Sequence, residues 1–291
     1  MRVPPARSRG YAETMRFLLS LLVALIVALG GVMLLAFISA RADPIVRRAD
    51  VALPGWPAGA APVRVVLVSD VHIGSAAMTP DRLTRIVGQI NALSPDLVVL
   101  AGDFVFGHDP APAAEMAEML VEPLSGLRAR LGVVATLGNH DHWTQPALIR
   151  RALERAHITV LENQAVVRGP LAVGGVGDLF SHHADLRATM AAVEALPGAR
   201  VMVTHSPDLA SSLPPDLTLL LAGHTHCGQV VLPFLGPVSE VAQPRYRCGM
   251  VREGGRTTVV TGGLGTSGAP FRLGAPPDLW LLTLGPAAQG P

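Results

Sequence analysis

An α/β core of two sheets, with helices over their outer faces, is the fold class this chain predicts. Three observations carry it. Strand and helix patterns alternate through the first half, the second half is rich in strand patterns, and five apolar, β-prone runs each end in an acid, an amide or an imidazole. The first run, Val63-Arg64-Val65-Val66-Leu67-Val68-Ser69, leads into Asp70-Val71-His72. The second, Asp96-Leu97-Val98-Val99-Leu100-Ala101, leads into Gly102-Asp103. Gly132-Val133-Val134-Ala135-Thr136-Leu137 leads into Gly138-Asn139-His140-Asp141, and Arg200-Val201-Met202-Val203-Thr204 into His205. Leu217-Thr218-Leu219-Leu220-Leu221-Ala222 leads into Gly223-His224-Thr225-His226. A lone Gly-Asn-His-Asp could be an ordinary turn. Five strand ends of this kind are not what turns alone produce, and loop ends of α/β sheets are where ligands collect.

In chain order, the N-terminus comes first and is set apart from the core. Residues 17–40 carry no charge, and at about 1.5 Å per residue they span roughly 30 Å or more, enough for a bilayer. Arg2, Arg7, Arg9 and Arg16 precede them against a single Glu13. The positive-inside rule then keeps residues 1–16 in the cytoplasm and places the remainder outside, with Arg41, Arg47 and Arg48 weighing the other way. Ala40-Arg41-Ala42 has the form of a signal-peptidase site. The apolar run is longer than a signal peptide's usual about 7–15 residues, which favours a retained anchor. Residues 41–62, rich in Pro, Ala and Gly, read as a linker or an extended covering segment, and residues 63–291 as the catalytic domain.

Within that domain, Thr79-Pro80 starts a helix, a capping hydroxyl followed by proline at the first helical position. Leu83, Ile86, Val87 and Ile90 mark its buried face, and Ser94-Pro95 ends it. Helical patterns also cover residues 112–127, 146–156 and 185–196. Strand patterns fall at 158–161, 165–167, 171–176, 230–232, 257–261 and 280–284. Met116 and Met119 belong to core packing rather than to a membrane-facing stripe.

Composition narrows the chemistry. The net charge is +1 with no basic stripe, so nucleic acid is not an expected partner. Every basic side chain is arginine; without lysine there is neither a Walker-type phosphate loop nor a Schiff-base mechanism. Cys227 and Cys248 make no zinc spacing and could be a disulfide or free thiols. Carboxylate, imidazole and amide oxygen together suit Mn²⁺, Fe²⁺ or Zn²⁺. Seven such donors exceed one ion's needs. Two ions about 3.5–4 Å apart, sharing a carboxylate, use them economically in phosphoester hydrolysis. Residues two apart on an extended chain project the same way, which suits the pairs Asp70/His72 and His224/His226.

These blocks, D-x-H, G-D, G-N-H-D, a lone H after a strand and G-H-T-H, resemble in order and separation the calcineurin-like metallophosphoesterase family across residues 63–229. The resemblance implies a four-layer α/β/β/α sandwich with a dinuclear metal site at the strand ends. Asp70, His72 and His226 would hold one metal, Asp103 would bridge, and Asn139, His205 and His224 would hold the other. His140 would be the catalytic acid that protonates the leaving oxygen or steadies the phosphate. The stretches Gly263-Leu264-Gly265-Thr266-Ser267, Phe271-Arg272 and Asp43-Pro44-Ile45-Val46-Arg47-Arg48 also resemble membrane-anchored bacterial members, some similar to UDP-2,3-diacylglucosamine pyrophosphatases of lipid A synthesis. One departure stands out. Phe106 occupies the position where phosphoprotein phosphatases carry an aspartate that orients the catalytic histidine, so His140 needs Asp141 or a backbone carbonyl instead.

The expected function is a two-metal phosphoesterase acting on a phosphodiester or pyrophosphate in an amphiphilic or membrane-derived substrate. It would be a single-pass protein of a bacterial inner membrane with its catalytic domain outside and no obligate protein partner. The alternatives are a UDP-2,3-diacylglucosamine pyrophosphatase, which needs a cytoplasmic site, or a non-catalytic, membrane-tethered metal-binding module. Selectivity is expected from loops 107–114, 177–183 and 262–272. Asp178 and Arg272 are the candidate substrate contacts, with Arg245 or Arg247 as further phosphate clamps. His142, His157, His182 and His183 are left outside the metal set.

Overall fold

Along the apolar runs, successive side chains enter different cores. Val66 and Val68 of β2 (Val63–Val68) join one buried cluster, and Val65 and Leu67 join another. In β3 (Leu97–Ala101), Val98 and Leu100 face the first cluster while Leu97, Val99 and Ala101 face the second. Strands buried on both faces read as continuous hydrophobic runs, which is why these lack polar alternation. The computed structural model describes residues 8–287, so Arg2 and Arg7 of the charge argument lie outside the described residues.

The first sheet has the order β1-β14-β2-β3-β4-β5. Its other members are β1 (Ile45–Leu53), β4 (Val133–Thr136), β5 (Ile158–Val160) and β14 (Asp278–Pro286). Helices α2 (Pro80–Ala92), α3 (Ala113–Ser125) and α5 (Pro146–Arg155) cover its outer face through Leu83, Ile86, Leu120 and Ile149. The second sheet, β12-β13-β9-β8-β7-β6, is built from β6 (Gln164–Arg168), β7 (Leu171–Gly175), β8 (Ala199–Val203), β9 (Leu219–Ala222), β12 (Gly249–Glu253) and β13 (Arg256–Val260). Its outer face packs on α6 (Leu186–Glu194) and a 3-10 turn at Pro207–Ser212, joined by Val193, Leu209 and Leu220. Between the sheets lies the cluster with Val99, Val134, Val201, Leu221 and Leu282. The layers are therefore helix, sheet, sheet, helix. A two-stranded hairpin, β10 (Val231–Leu232) with β11 (Gly236–Pro237), stands apart from both sheets.

The proline-rich stretch after the apolar span is not a free linker. β1 pairs in parallel with β14 from Ile45 opposite Asp278 to Leu53 opposite Pro286. Arg47 Nε donates to Asp278 at 2.5 Å. The first sheet thus starts at Ile45 rather than at residue 63. The prolines flank the strand, and its alternating buried residues Val51 and Leu53 are too few to outweigh them in a sequence reading. The apolar span itself is α1 (Ser8–Arg41), and its stretch Tyr11–Arg41 is long and apolar enough to cross a membrane. Ala36 and Ala40 of α1 are buried against the domain.

Candidate metal centre

Strands β2, β3 and β4 run parallel, as do β8 and β9, so each group's C-terminal ends lie side by side. Asp70, Asp103, Asn139, His205 and His224 follow those ends directly, and His72 and His226 lie two residues further on. Asp70, His72, Asp103, His224 and His226 all have positive φ, between 49° and 72°. Left-handed backbone is unfavourable for such residues and clusters at functional sites, where the surrounding structure holds it in place. Here it turns each chain sharply enough to aim the side chain back over the sheet ends. Gly138 and Gly263 give the room this needs. A Cβ at Gly138 would strike the Asp103 carboxylate, and one at Gly263, where φ is +70°, would stand 2.5 Å from Asp70 Cβ.

All seven donors are buried; Asp70, His72 and His226 form one group, Asp103, His205 and His224 another, and Asn139 lines the same cavity. In one, His226 Nε2 is 3.3 Å from Asp70 Oδ1 and 3.2 Å from His72 Nε2. In the other, His205 Nε2 is 3.1 Å from His224 Nδ1 and 3.2 Å from Asp103 Oδ2. The same Asp103 oxygen lies 3.6 Å from His72 Nε2. Asn139 Oδ1 and Asp70 Oδ1 are buried without hydrogen-bond partners. Orphaned buried acceptors are costly unless something occupies them. Two ligands at right angles around one ion, each about 2.1 Å from it, stand about 3.0 Å apart. The donor separations match that spacing, so the residues fit a pair of divalent cations.

Protonation agrees with this. Burial lowers His72 to about 3 and, followed by the positive charge of His205, lowers His224 to about 4. Burial, then His72 and Arg272, holds His226 well below its ordinary value. All three are neutral imidazoles with a lone pair to give. Burial alone would raise Asp103, but His205 and the neighbouring imidazoles hold it well below the usual carboxylate range. Burial would likewise lower His205; the Asp103 charge outweighs it and raises the imidazole well above the ordinary value. Burial, with Asp103 adding, pushes Asp70 up to about 7.

The outer atoms of these rings are fixed by backbone. His205 Nδ1 donates to Ala101 O at 2.7 Å, and His72 Nδ1 to Val105 O at 3.2 Å. Each bond leaves Nε2 free for a cation, the usual way a second contact selects the tautomer. His140 is held the same way, its Nδ1 donating to Gly107 O at 2.7 Å, which supplies the orientation missing at Phe106. Its Nε2 faces the cavity, 3.3 Å from Ser267 Oγ and 3.9 Å from Asp103 Oδ2. Asp141 plays a different part. Its carboxylate accepts the backbone N–H groups of Asp103, Phe104, Val105 and Gly138 at 2.9–3.3 Å, clamping two ligand loops together.

Above the donors lies a cavity of about 270 Å³ lined by Asp103, Asn139, His140, His224 and His226, with His108, Trp143, Phe180, Gln229, Ser239, Val241 and Ser267 as its walls. Arg272 does not face it. Its side chain is fully buried and donates to the carbonyls of Gly262, Gly263, Gly265, His226 and Ala275. Its Nη2 stands 3.2 Å from His226 Nδ1. It braces a ligand and clamps no phosphate. Arg245 pairs with Glu253 and Arg247 with Glu240, so neither guanidinium is left over for a phosphate. Asp178 is also fully buried and accepts from Ser181 N and Oγ at 2.6 and 2.7 Å, shaping the 177–183 loop rather than meeting substrate. His142 stacks on His183 at 3.7 Å, and His157 lies exposed at the end of α5. Cys227 and Cys248 form a disulfide, so neither is a ligand.

The calcineurin-like phosphoesterase family matches residues 63–228, from the first core strand to just past the last ligand. The chain belongs to that family. A Caenorhabditis elegans protein named as a metallophosphoesterase is 31% identical over 271 residues, covering 83% of this chain and 52% of its own length. The Danio rerio "transmembrane protein with metallophosphoesterase domain" is 27% identical over 290 residues, covering 91% and 62%. The uncharacterized metallophosphoesterase YkuE of Bacillus subtilis is 28% identical over 229 residues, covering 76% and 78%. The chain thus spans about half to three fifths of the first two relatives. With Tyr11–Arg41 and relatives named as transmembrane proteins, this phosphoesterase reads as a single-pass membrane protein.

Sequence reasoning missed Ser69, whose hydroxyl donates to Asp70 Oδ2, and the wall residue Trp143; His108 and Phe180 lie in the 107–114 and 177–183 loops expected to give selectivity, though neither was singled out. Trp143 did leave a signal. It stands three residues after His140 on the one-turn helix α4 (Asn139–Trp143), and positions three apart share a helix face.

Proposed function

We propose that this phosphoesterase hydrolyses a phosphodiester or pyrophosphate bond in an amphiphilic substrate with two divalent ions. The observation that supports it most is the pair of orphaned carboxylate and amide oxygens, Asp70 Oδ1 and Asn139 Oδ1, beneath an open cavity with an aromatic wall. Asp70, His72 and His226 would hold one ion, Asn139, His205 and His224 the other, with Asp103 between them. Such a pair supplies Lewis acidity toward phosphoryl oxygens and lowers the pKa of water.

The protein's own groups do the rest. His140 presents Nε2 to the cavity, because its Nδ1–H is committed to Gly107 O, and as an imidazolium it would carry at Nε2 a proton to give. That geometry suits protonation of a departing alkoxide or phosphate oxygen. Trp143 and Phe180, each more than a third exposed at the rim, offer apolar surface to the non-phosphate part of a substrate. The Cys227–Cys248 disulfide next to His226 supports an oxidising compartment, hence the exocytoplasmic side. That placement disfavours a cytoplasmic UDP-linked substrate.

The test is a substrate panel on the full chain in detergent micelles with Mn²⁺. Hydrolysis of a bis-aryl phosphodiester is expected, with faster turnover of a lipid-bearing phosphodiester or pyrophosphate, and both are lost in excess chelator. Cleavage of monoesters alone, or full turnover in chelator, overturns the reading.

A further inference from the structure

The β10–β11 hairpin carries a feature that neither the metal centre nor the cores explain. Its tip, Pro233-Phe234-Leu235, presents apolar side chains to solvent, with Phe234 wholly exposed and Leu235 81% exposed, and Val238 follows at 68%. Phe234 has φ +64°, a conformation that hairpin tips ordinarily give to Gly or Asn. A bulky ring in left-handed backbone, with nothing packed on it, is unfavourable twice over. Among the described residues no contact offsets either cost.

The hairpin's base is tied to the apolar helix. Val231 N donates to Leu273 O at 2.7 Å, and Leu273 N to Gln229 O at 2.9 Å. The neighbouring Arg272 N donates to Ala36 O of α1 at 2.9 Å. The hairpin and the helix are therefore attached at adjacent residues, Leu273 and Arg272. The helix end is fixed as well, since Arg82 donates to Arg41 O at 3.2 Å and Ala42 O at 2.7 Å, and Arg41 to Ala76 O at 2.7 Å. At about 1.5 Å per residue, 17–35 of α1 span roughly 28 Å, close to the about 30 Å of a hydrocarbon core. If that stretch spans the bilayer, Ala36 would fall at the headgroup level and the domain it touches would rest on the bilayer surface.

We propose that the hairpin is a membrane-inserting finger whose tip, Phe234 and Leu235, enters the leaflet from which α1 emerges. Lipid would cover the exposed apolar tip and supply what the chain does not. The excursion that carries the finger is closed at its ends by the Cys227–Cys248 disulfide, and Ser239 and Val241, just beyond it, line the cavity. Insertion would therefore hold the cavity's mouth against the headgroups, where an amphiphile's phosphate lies. The inference rests on the phosphoesterase reading only for what the finger stands beside, and its test reads lipid contact rather than turnover.

Because the two native cysteines are paired, a single added thiol can be labelled selectively. Leu235→Cys in the full chain, carrying an environment-sensitive fluorophore, is reconstituted in phosphatidylcholine–phosphatidylglycerol vesicles with and without brominated acyl chains. Gln164→Cys, exposed on β6 at the far edge of the second sheet, is the control. Loss of emission in brominated lipid at 235 but not at 164 is expected. Equal response at both positions overturns the proposal. So does a label at 235 that is shielded yet unquenched by lipid, which would mean that a protein or a second copy covers the tip. Quenching with a negative substrate panel would sink the substrate reading alone, and an active panel without quenching would sink the finger alone.

Discussion

At the floor of the cavity, five of the donors follow parallel strands directly, two lie just beyond, and the rings are pinned by backbone such as Ala101 O and Val105 O. At the rim, Trp143 comes from a one-turn helix, Phe180 from the 177–183 loop and Val241 from the disulfide-closed excursion. Floor residues are buried and charged or polar; Trp143 and Phe180 are partly exposed and apolar. The difference follows from what each must do. Donors to a cation need fixed positions, which sheet register and hydrogen-bonded backbone provide. Surfaces that admit an apolar group need area and access, which loops provide.

Breaking the floor should give the largest effects, and it divides into two kinds. Asp103 stands between both donor groups, so Asp103→Ala is expected to lose metal content and turnover together, read by elemental analysis and initial rates. His140→Ala should keep its metals and lower kcat by roughly 10²–10⁴, the usual range for lost acid–base assistance. The loss should shrink for substrates with good leaving groups, which need little protonation. If His140→Ala instead emptied the site of metal, its separation from the donor set would fall.

A smaller effect is expected one layer below the floor. Arg272 bonds five carbonyls and faces His226 Nδ1, so it positions a donor without touching substrate. Outer partners of metal ligands typically cost about 10–100-fold in metal affinity when removed. Arg272→Ala, or Arg272→Lys if the alanine variant does not fold, should weaken metal binding by that order. It should hurt small and lipid-bearing substrates alike once metal is saturating. A selective loss on the lipid-bearing substrate would restore Arg272 as a phosphate clamp.

The floor was legible in the sequence because register makes it local. An apolar run two-faced in burial ends where the strand ends, and the donor follows within three residues, as at Val68 and Asp70 or Ala222 and His224. The sheet order needed structure. Nothing in Ile45–Leu53 shows that it pairs with β14, some 230 residues away along the chain, as the Arg47–Asp278 bond does. Charge misled at Arg272 and Asp178, where a guanidinium and a carboxylate suggested substrate contact. Both are buried, answering backbone groups that only the folded loops bring near. Asp141 follows the same pattern. Adjacent to His140 in sequence, it turns away to bond four backbone N–H groups. Apart from Trp143, three residues after His140 on one short helix, rim residues leave no periodic trace, since walls drawn from separate loops have no spacing rule.

The smallest expected effect is also the one that separates rim from floor most directly. Phe180 is 44% exposed and its ring sits 4.6 Å from that of His224, so a substrate's apolar part could cover the exposed portion. Fully burying a Phe side chain is worth about 1.5–3 kcal/mol, so covering roughly half of it gives about 1 kcal/mol, or about fivefold in affinity. Phe180→Ala should therefore raise KM for a lipid-bearing phosphodiester by about that factor, with kcat nearly unchanged because the interaction is the same in ground and transition states. A bis-aryl phosphodiester, which has its own rings to stack, should lose a comparable amount. An aliphatic diester too short to reach the rim should lose nothing. Comparing the three esters on one variant thus measures how far the rim reaches. An equal loss for all three would mean that removing the ring disturbs His224 beneath it, making Phe180 part of the floor.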